Sequence, residues 1–287
     1  MEVIRTPAAM VAWANRTIAG GASIALVPTM GYFHEGHLSL MRRAKTLASR
    51  VVVSLFVNPL QFGPREDLAR YPRDFDRDAA LAEGEGVDVL FVPEAAAMYP
   101  AGSRTRVTVS GLSEGLCGAT RPGHFEGVTT VVAKLFHLVK PQVAVFGQKD
   151  LQQLAVIRRM TADLNWDIEI VGHPIVREPD GLAMSSRNVY LSPQERLSAL
   201  GLSRAIRHAR QRVREGLTDA AELLREVREM LAALPGVAPE YVECVDETTL
   251  EPGARLVPGV VLAIAARVGT TRLIDNDNLF AEVKERP

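Results

Sequence analysis

The sequence predicts an α/β protein: a doubly wound parallel sheet, followed by a second, smaller α+β domain at the C-terminus. Three observations carry that expectation. From residue 24 to residue 171, short apolar runs that read as buried strands alternate with stretches of helical 3.6-residue spacing. Most of these runs end in Pro or Gly and pass directly into a polar turn. Near residue 175 the texture changes, and a long polar segment leads into two helices and three closing strands.

Taken in order, Thr6 to Ala19 carries Met10, Val11, Trp13, Ala14 and Ile18 at helical spacing, with Pro7 at a first turn and Gly20-Gly21 as the stop. Ile24 to Val27, closed by Pro28, is the first strand, and Val51 to Val57, closed by Asn58-Pro59, is the second. Between them lie the turn Pro28 to His37 and a helix with Leu38, Leu40, Met41, Ala44, Leu47 and Ala48 apolar, which makes one βαβ unit. Phe75 to Glu83 reads as a helix and Val87 to Val92 as the third strand. Arg106 to Val109 is a weaker β signal, Gly115 to Gly127 reads as loop, and Val128 to Leu138 is an apolar helix.

The strand Gln142 to Phe146, the turn Gly147 to Asp150 and the helix Leu151 to Leu164 repeat the first arrangement, and Ile168 to Val171 is a fifth strand. Val176 to Asn188 is polar and without period, as functional loops of this length often are. Ser192-Pro193-Gln194-Glu195 is a capping box with Pro in the first turn, and Leu197, Leu200, Ala205, Ile206, Ala209 and Val213 form the apolar face of the helix it opens. A second helix, Thr218 to Leu234, precedes strands at Tyr241–Val245, Val260–Ala266 and Thr271–Asp275. These signals divide the chain into a Rossmann-like domain over 1–175 and an α+β domain over 176–287.

Composition excludes several classes. With 47% hydrophobic and 23% charged residues over 287 positions, the chain is long enough for a large core and not composed for disorder. A net charge of −1 gives no reason to expect nucleic acid, and the arginines at 204, 207, 210, 212 and 214 read as a solvated helix face. No basic-then-apolar leader and no membrane-length apolar run is seen, so a cytoplasmic location is the default expectation. Cys117 and Cys244 are too few for a disulfide framework or a thiolate zinc site and fit a reducing compartment.

Parallel strands end at one edge of their sheet, and ligands of such sheets sit there. The turn carrying His34 and His37 therefore faces the same crevice as Asn58 to Gln61 and Gly147 to Asp150. Gly31 and Gly36 would let phosphates approach the backbone, and the helix start beyond them offers unpaired N–H groups and a positive dipole end. Lys149, Asp150, Gln152 and Gln153 come to the same edge. With Met184-Ser185-Ser186-Arg187, two imidazoles, one ammonium and one guanidinium surround a space suited to a triphosphate, whereas the neutral amides of Gln61 and Gln153 suit hydroxyls and a carboxylate.

Each feature also has a plain structural reading. A His pair three apart is often a cap, and this pair lacks the spacing of a zinc-protease helix. As the lesser alternative, Lys149-Asp150 reads as a helix-start pair, Ser185-Ser186 as a turn, and Gln61 as a loop residue. Gly63 to Asp74 is a surface loop or a lid over the crevice. Arg121 and His124 line the pocket or belong to a loop beside it.

Pro28-Thr29-Met30-Gly31 with His34-Glu35-Gly36-His37 resembles the HIGH signature of class I aminoacyl-tRNA synthetases and related nucleotidyltransferases, and Met184 to Arg187 resembles their KMSKS-type loop. More narrowly, Asn58 to Gly63, Phe146 to Gln153, Arg177 to Asn188 and Gly269 to Asn276 resemble the pantothenate synthetases, the pantoate:beta-alanine ligase family, in the right order along essentially the whole chain. The resemblance implies ATP, pantoate and beta-alanine as substrates, with pantoate adenylated and the amine of beta-alanine then displacing AMP. It implies ATP contacts from Met30, Gly31, Tyr32, Phe33, His34, Glu35, Gly36 and His37, from Gly147, Gln148, Lys149 and Asp150, and from Val176, Met184, Ser185, Ser186 and Arg187. Gln61 and Gln153 would hold pantoate, with Gln61 also near beta-alanine.

Catalysis would fall to His37, His34, Lys149 and Arg187, with His37 the assigned proton donor, although charge stabilisation by both imidazoles fits the chemistry equally. Mg2+ would arrive on the phosphates with Asp150 in indirect contact, and the sequence holds no all-protein metal cage. A homodimer is implied as well. Tyr32-Phe33 and Leu60 depart from the small residue plus Leu and the Met common in the family, which bears on pocket shape. Two rival expectations are another nucleotidyltransferase carrying the same signature, and an ATP-sensing module that binds without turnover.

Overall fold

The computed structural model describes residues 1–64 and 66–281. In chain order the first half contains β1 (Glu2–Ile4), α1 (Pro7–Ala19), β2 (Ile24–Thr29), α2 (Glu35–Lys45), β3 (Arg50–Leu55), α3 (Phe75–Gly84), β4 (Val89–Phe91), α4 (Ala95–Met98), α5 (Leu116–Thr120) and α6 (His124–Val139). There follow β5 (Val143–Gly147), α7 (Leu151–Asp163), β6 (Glu169–His173), α8 (Pro193–Arg214), α9 (Ala220–Ala232), β7 (Val237–Asp246), β8 (Val260–Val268) and β9 (Thr271–Asn278). The first six strands form one sheet in the order β1-β4-β3-β2-β5-β6, every pair parallel. The last three form an antiparallel sheet in the order β7-β8-β9.

The centre of the large sheet explains why its strands read as unbroken apolar runs. Ile24, Ala25, Leu26 and Val27 are wholly buried, but alternate residues enter different cores. Ile24 and Leu26 pack with Met10 of α1, Phe136 of α6 and Ile157 of α7, whereas Ala25 and Val27 pack with Met41 of α2 and Ala82 of α3. A strand covered on both faces has no polar side to show. Each large aliphatic side chain buried this way stabilises the fold by about 1.5–3 kcal/mol.

Strand order reverses at β2. The chain runs from β2 outward through β3 to β4, then returns to place β5 and β6 on the other side of β2. The crevice beyond the carboxyl ends of β2 and β5 is the topological switch point of the sheet, where open α/β folds bind ligands.

The second sheet has its own core, in which Leu202 and Ile206 of α8 and Leu223, Val227 and Leu231 of α9 cover Leu262, Ile264 and Ala266 of β8. The start of α8 is the expected capping box: Glu195 N–H donates to Ser192 Oγ at 3.3 Å, and Ser192 N–H donates to Glu195 Oε2 at 2.8 Å. Within the arginine stripe of α8, Arg210 pairs with Asp277 and Arg212 with Glu222 and Glu226. None of the described helices is long and apolar enough to cross a membrane.

Beyond shifted element ends, the structure differs from the sequence reading in four places, one of them the short helix α4, where the sequence reading placed no element. β1 is an edge strand of three residues held by parallel pairing with β4. Residues 106–109 form no strand, because threonines of α6 satisfy their backbone: Val107 N–H donates to Thr130 Oγ1 at 3.0 Å, and the Thr129 hydroxyl donates to Val107 O. Within 115–127, read as loop, lie α5 and the whole first turn of α6, which Gly123 precedes in a left-handed conformation.

Candidate active site

A cavity of about 240 Å³ opens at the switch point. Its walls come from the end of β2 (Pro28, Thr29, Met30), the start of α2 (His34, Gly36, His37), the turn after β3 (Asn58, Gln61), the β5–α7 turn (Gly147, Lys149, Asp150, Gln153) and the segment before α8 (Val176, Met184, Ser185, Ser186, Arg187). Five stretches far apart in sequence thus meet around one space. Of the sequence-predicted residues, Gly31, Tyr32, Phe33, Glu35 and Gln148 do not line it.

Three of those five shape the wall instead. Tyr32 and Phe33 N–H donate to the two carboxylate oxygens of Asp78 at 2.6 and 2.7 Å, and the Phe33 ring lies in the core. Gly31 precedes them at positive φ and packs against Asp78 and Leu55. Glu35 is exposed and ion-paired with Arg42, and Gln148 is exposed. The bulk of Tyr32-Phe33 is therefore directed away from the ligand space. Asp78, buried inside α3, is a site-shaping residue with no sequence signal beyond being an acid in a helix.

The histidine pair is set by local geometry. Their rings stack at 4.1 Å between centroids, and His34 N–H donates to His37 Nδ1 at 3.3 Å. That bond places the proton of neutral His37 on Nε2. Gly36 is required by the packing of this pair: a Cβ there would lie 2.9 Å from the His34 ring. Burial, with the Lys149 charge added, lowers the His34 pKa to about 4; burial, then His34 and Lys149, puts His37 well below 6.5. Both imidazoles are therefore neutral at neutral pH.

Lys149 points at the cavity from the β5–α7 turn. Burial lowers its pKa, Asp150 and Asp275 oppose that shift, and Arg187 and Arg272 add to it, all through charge rather than hydrogen bonds. Arg187 donates from Nε and Nη2 to the two carboxylate oxygens of Asp67, both at 2.8 Å, and lies over the Tyr71 ring. Burial would raise the Asp67 carboxyl, but the Arg187 hydrogen bonds and charge outweigh it and hold the group below its usual range. Arg121 grips Glu66 in the same bidentate way, at 2.7 Å for both bonds. Glu66 and Asp67 therefore set two carboxylates on two of the guanidiniums that line the cavity.

Gln61 is fixed by a frame that the sequence hid. Asn58, 1% exposed, donates to Gln61 Oε1 and to Gly127 O, both at 3.0 Å, and accepts from the Tyr99 hydroxyl at 2.8 Å. His124 Nδ1 lies 2.8 Å from Gln61 O and its Nε2 lies 3.0 Å from Arg121 Nη1. Because a guanidinium only donates, Nε2 accepts and Nδ1 donates to the carbonyl. Burial, then Arg121, lowers His124 to about 4. Gly127 lets α6 touch this turn, since a Cβ would sit 2.4 Å from Leu60 O.

The two glutamines of α7 separate by role. Gln153 faces the cavity, whereas Gln152 is buried and tethers the 112–117 segment through bonds to Leu112 O and Gly115 O, each 2.8 Å, and from Cys117 N–H at 2.9 Å.

This arrangement can hold a polyanion between His34, His37, Lys149 and Arg187, with an adjoining polar compartment at Gln61 and Gln153. The sequence profile of the pantoate-beta-alanine ligase family matches residues 2–278. The pantothenate synthetase of Heliobacterium modesticaldum is 58% identical over 276 residues, covering 96% of this chain and 98% of that protein. That of Geobacter sulfurreducens is 55% identical with the same coverage. The crystal structure of Thermus thermophilus pantothenate synthetase superposes with a TM-score of 0.93 at 49% identity, covering 98% of this chain and all of that one. The Francisella tularensis pantoate-beta-alanine ligase, solved in complex with Beta-gamma ATP and Beta-alanine, gives 0.81 at 30% identity over 98% of this chain and 99% of its own. The chain belongs to the pantoate-beta-alanine ligase family.

Proposed function

We propose that this chain condenses pantoate with beta-alanine at the expense of ATP, through a pantoyl-adenylate intermediate, releasing AMP and pyrophosphate. The carrying observation is the single cavity in which the two imidazoles, Lys149 and Arg187 stand beside Gln61 and Gln153. In the first step a pantoate carboxylate oxygen bonds to the α-phosphorus, and the bond from that phosphorus to the bridging oxygen breaks. In the second, the amine attacks the acyl carbon, the acyl–oxygen bond to AMP breaks, and the nitrogen gives up a proton.

Such chemistry asks the protein mainly for placement and charge. Lys149 and Arg187 take the charge that moves onto pyrophosphate, and Arg187 reaches phosphate by releasing Asp67. His34 and His37 start as neutral N–H donors, and the incoming phosphates favour their protonation, so both donate more strongly as charge accumulates. Gln61, oriented by Asn58, and Gln153 hold pantoate's hydroxyls and carboxylate.

The described residues hold no cluster of three or more metal-ligating side chains, but the exposed Asp150 carboxylate on the cavity wall suits a hydrated cation brought by ATP. Mg2+ carried on the phosphates would neutralise charge on the leaving pyrophosphate. On the family resemblance we place the protein in the cytoplasm as a homodimer, and the separate cores support a division into units near residue 175.

Exchange of labelled pyrophosphate into ATP is the test. Exchange that requires pantoate, with pantothenate formed only when beta-alanine is added, is expected. Clean ATP binding without exchange would leave an ATP sensor, and a stable nucleotidylated product with no amine requirement would leave a nucleotidyltransferase.

A further inference from the structure

The Gly269 to Asn276 block stands out in the sequence, yet Asn276 lines not the 240 Å³ cavity but a smaller one of about 80 Å³ beside it, which shares Lys149, Asp150, Gln153, Ser185 and Arg187 with the first. We propose that β9 is a positioning element for the phosphate-handling groups: Asn276 fixes the turn that carries Lys149, and Asp275 braces the segment that delivers Arg187. This rests on the ligase reading for what the positioned groups do, but not for the positioning itself.

Asn276 is 6% exposed, and its Nδ2 donates to the carbonyls of Gln148 at 3.1 Å and Lys149 at 2.8 Å. Two carbonyl acceptors leave no doubt which end of the amide is nitrogen. The turn so held has little rigidity of its own. Gln148–Asp150 is one turn of 3₁₀ helix, whose internal bonds are weak, and no side chain caps the start of α7 behind it. Gln148 and Asp150 are exposed, so between the end of β5 and the start of α7 the Asn276 amide is the side-chain contact that ties down the Lys149 backbone.

The neighbouring residue reaches the other side of the cavity. Asp275, 2% exposed, accepts from Arg177 Nη1 at 2.7 Å and Nη2 at 2.9 Å, while its Oδ1 also accepts the Asn276 N–H at 2.9 Å. Arg177 Nη1 in turn donates to Gly181 O at 3.2 Å, Arg177 bridges Ala183, and Met184 N–H donates to Val176 O at 3.0 Å. That chain of bonds shapes the hairpin from which Met184 to Arg187 emerge. Two consecutive residues of the small sheet thus hold both phosphate-facing segments of the site, and separating the small sheet from the large one would release both.

Asn276→Asp keeps the shape but turns two donors into an oxygen facing two carbonyls. The expected result is a fall of about 30- to 100-fold in the turnover of pantoate-dependent pyrophosphate exchange, the scale of an ångström's misplacement. KM for ATP should move by less than about threefold, as for a loss felt in the transition state. Hydrogen–deuterium exchange of the peptide spanning 146–151 should quicken, with β7, β8 and the rest of β9 unchanged. Asn276→Ala, which adds no charge, gives the same reading if the aspartate variant does not fold.

Turnover within about threefold of the parent with unchanged deuterium uptake overturns the proposal. So does a loss that rises together with uptake across the whole small sheet, which would make the residue merely structural. Deuterium uptake over 146–151 reads the clamp whatever the reaction is. A parent enzyme silent in pyrophosphate exchange would therefore strike the ligase reading alone.

Discussion

Replacing Lys149 by Met separates the needs of the site from those of the fold. The ammonium sits against the cavity with its pKa lowered by burial, and its neighbours act on it only through charge. Desolvation of an ion without hydrogen-bond partners works against the folded state, and a methionine of similar length removes that load. A gain of about 1 kcal/mol moves Tm by roughly 2 °C in a chain of this size, so melting should stay level or rise by a few degrees. Turnover should fall about a hundred- to a thousand-fold, or about 2.7–4 kcal/mol, the cost of losing one fixed donor aimed at developing charge. Thermal melting with and without ATP, beside pyrophosphate exchange, measures both quantities. A variant that melts well below the parent yet exchanges within about tenfold of it would refute the role assigned to this lysine.

Gln153→Ala should raise KM for pantoate while leaving ATP affinity, read by calorimetry, close to the parent; equal losses in both would contradict its placement in the acid compartment. Gly127→Ala puts a methyl group 2.4 Å from Leu60 O, so the Asn58–Gln61 frame must shift. Overpacking of this kind costs about 1–3 kcal/mol, and both Tm and pantoate affinity are expected to drop. His34, His37 and His124 have folded-state pKa values below the ordinary 6.5, so the unfolded chain binds more protons between that value and about 4. Their contribution to stability is complete above about pH 6.5 and is lost as the pH falls toward 4. Melting temperatures across that range should decline, and a flat profile would remove the neutral-imidazole description.

What the sequence made legible follows from range. Ile24 to Val27 announced a central strand because burial on both faces leaves an unbroken apolar run, and Ser192 with Glu195 announced a helix start because both partners of the bond lie within four residues. His34 and His37 were readable for the same reason. β1 was not, since three residues carry no period and pair only with β4, 87 positions away. The strand expected at 106–109 failed because Thr129 and Thr130 of a helix, not a neighbouring strand, take its backbone bonds. Within the site, the roles of Asp78, Asn58 and Glu66 depend on partners 45, 69 and 55 positions distant, respectively, and no local pattern encodes such meetings. Gln152 and Gln153 differ only in which way one turn of helix is rotated.

Glu66 and Asp67 give the cleft its own counterions. Nucleotide entry is then an exchange of one anion for another rather than capture by a bare cationic surface, and few small ions need be displaced from Arg121 and Arg187. ATP affinity should accordingly respond weakly to added salt, and removing both carboxylates should make that response steeper.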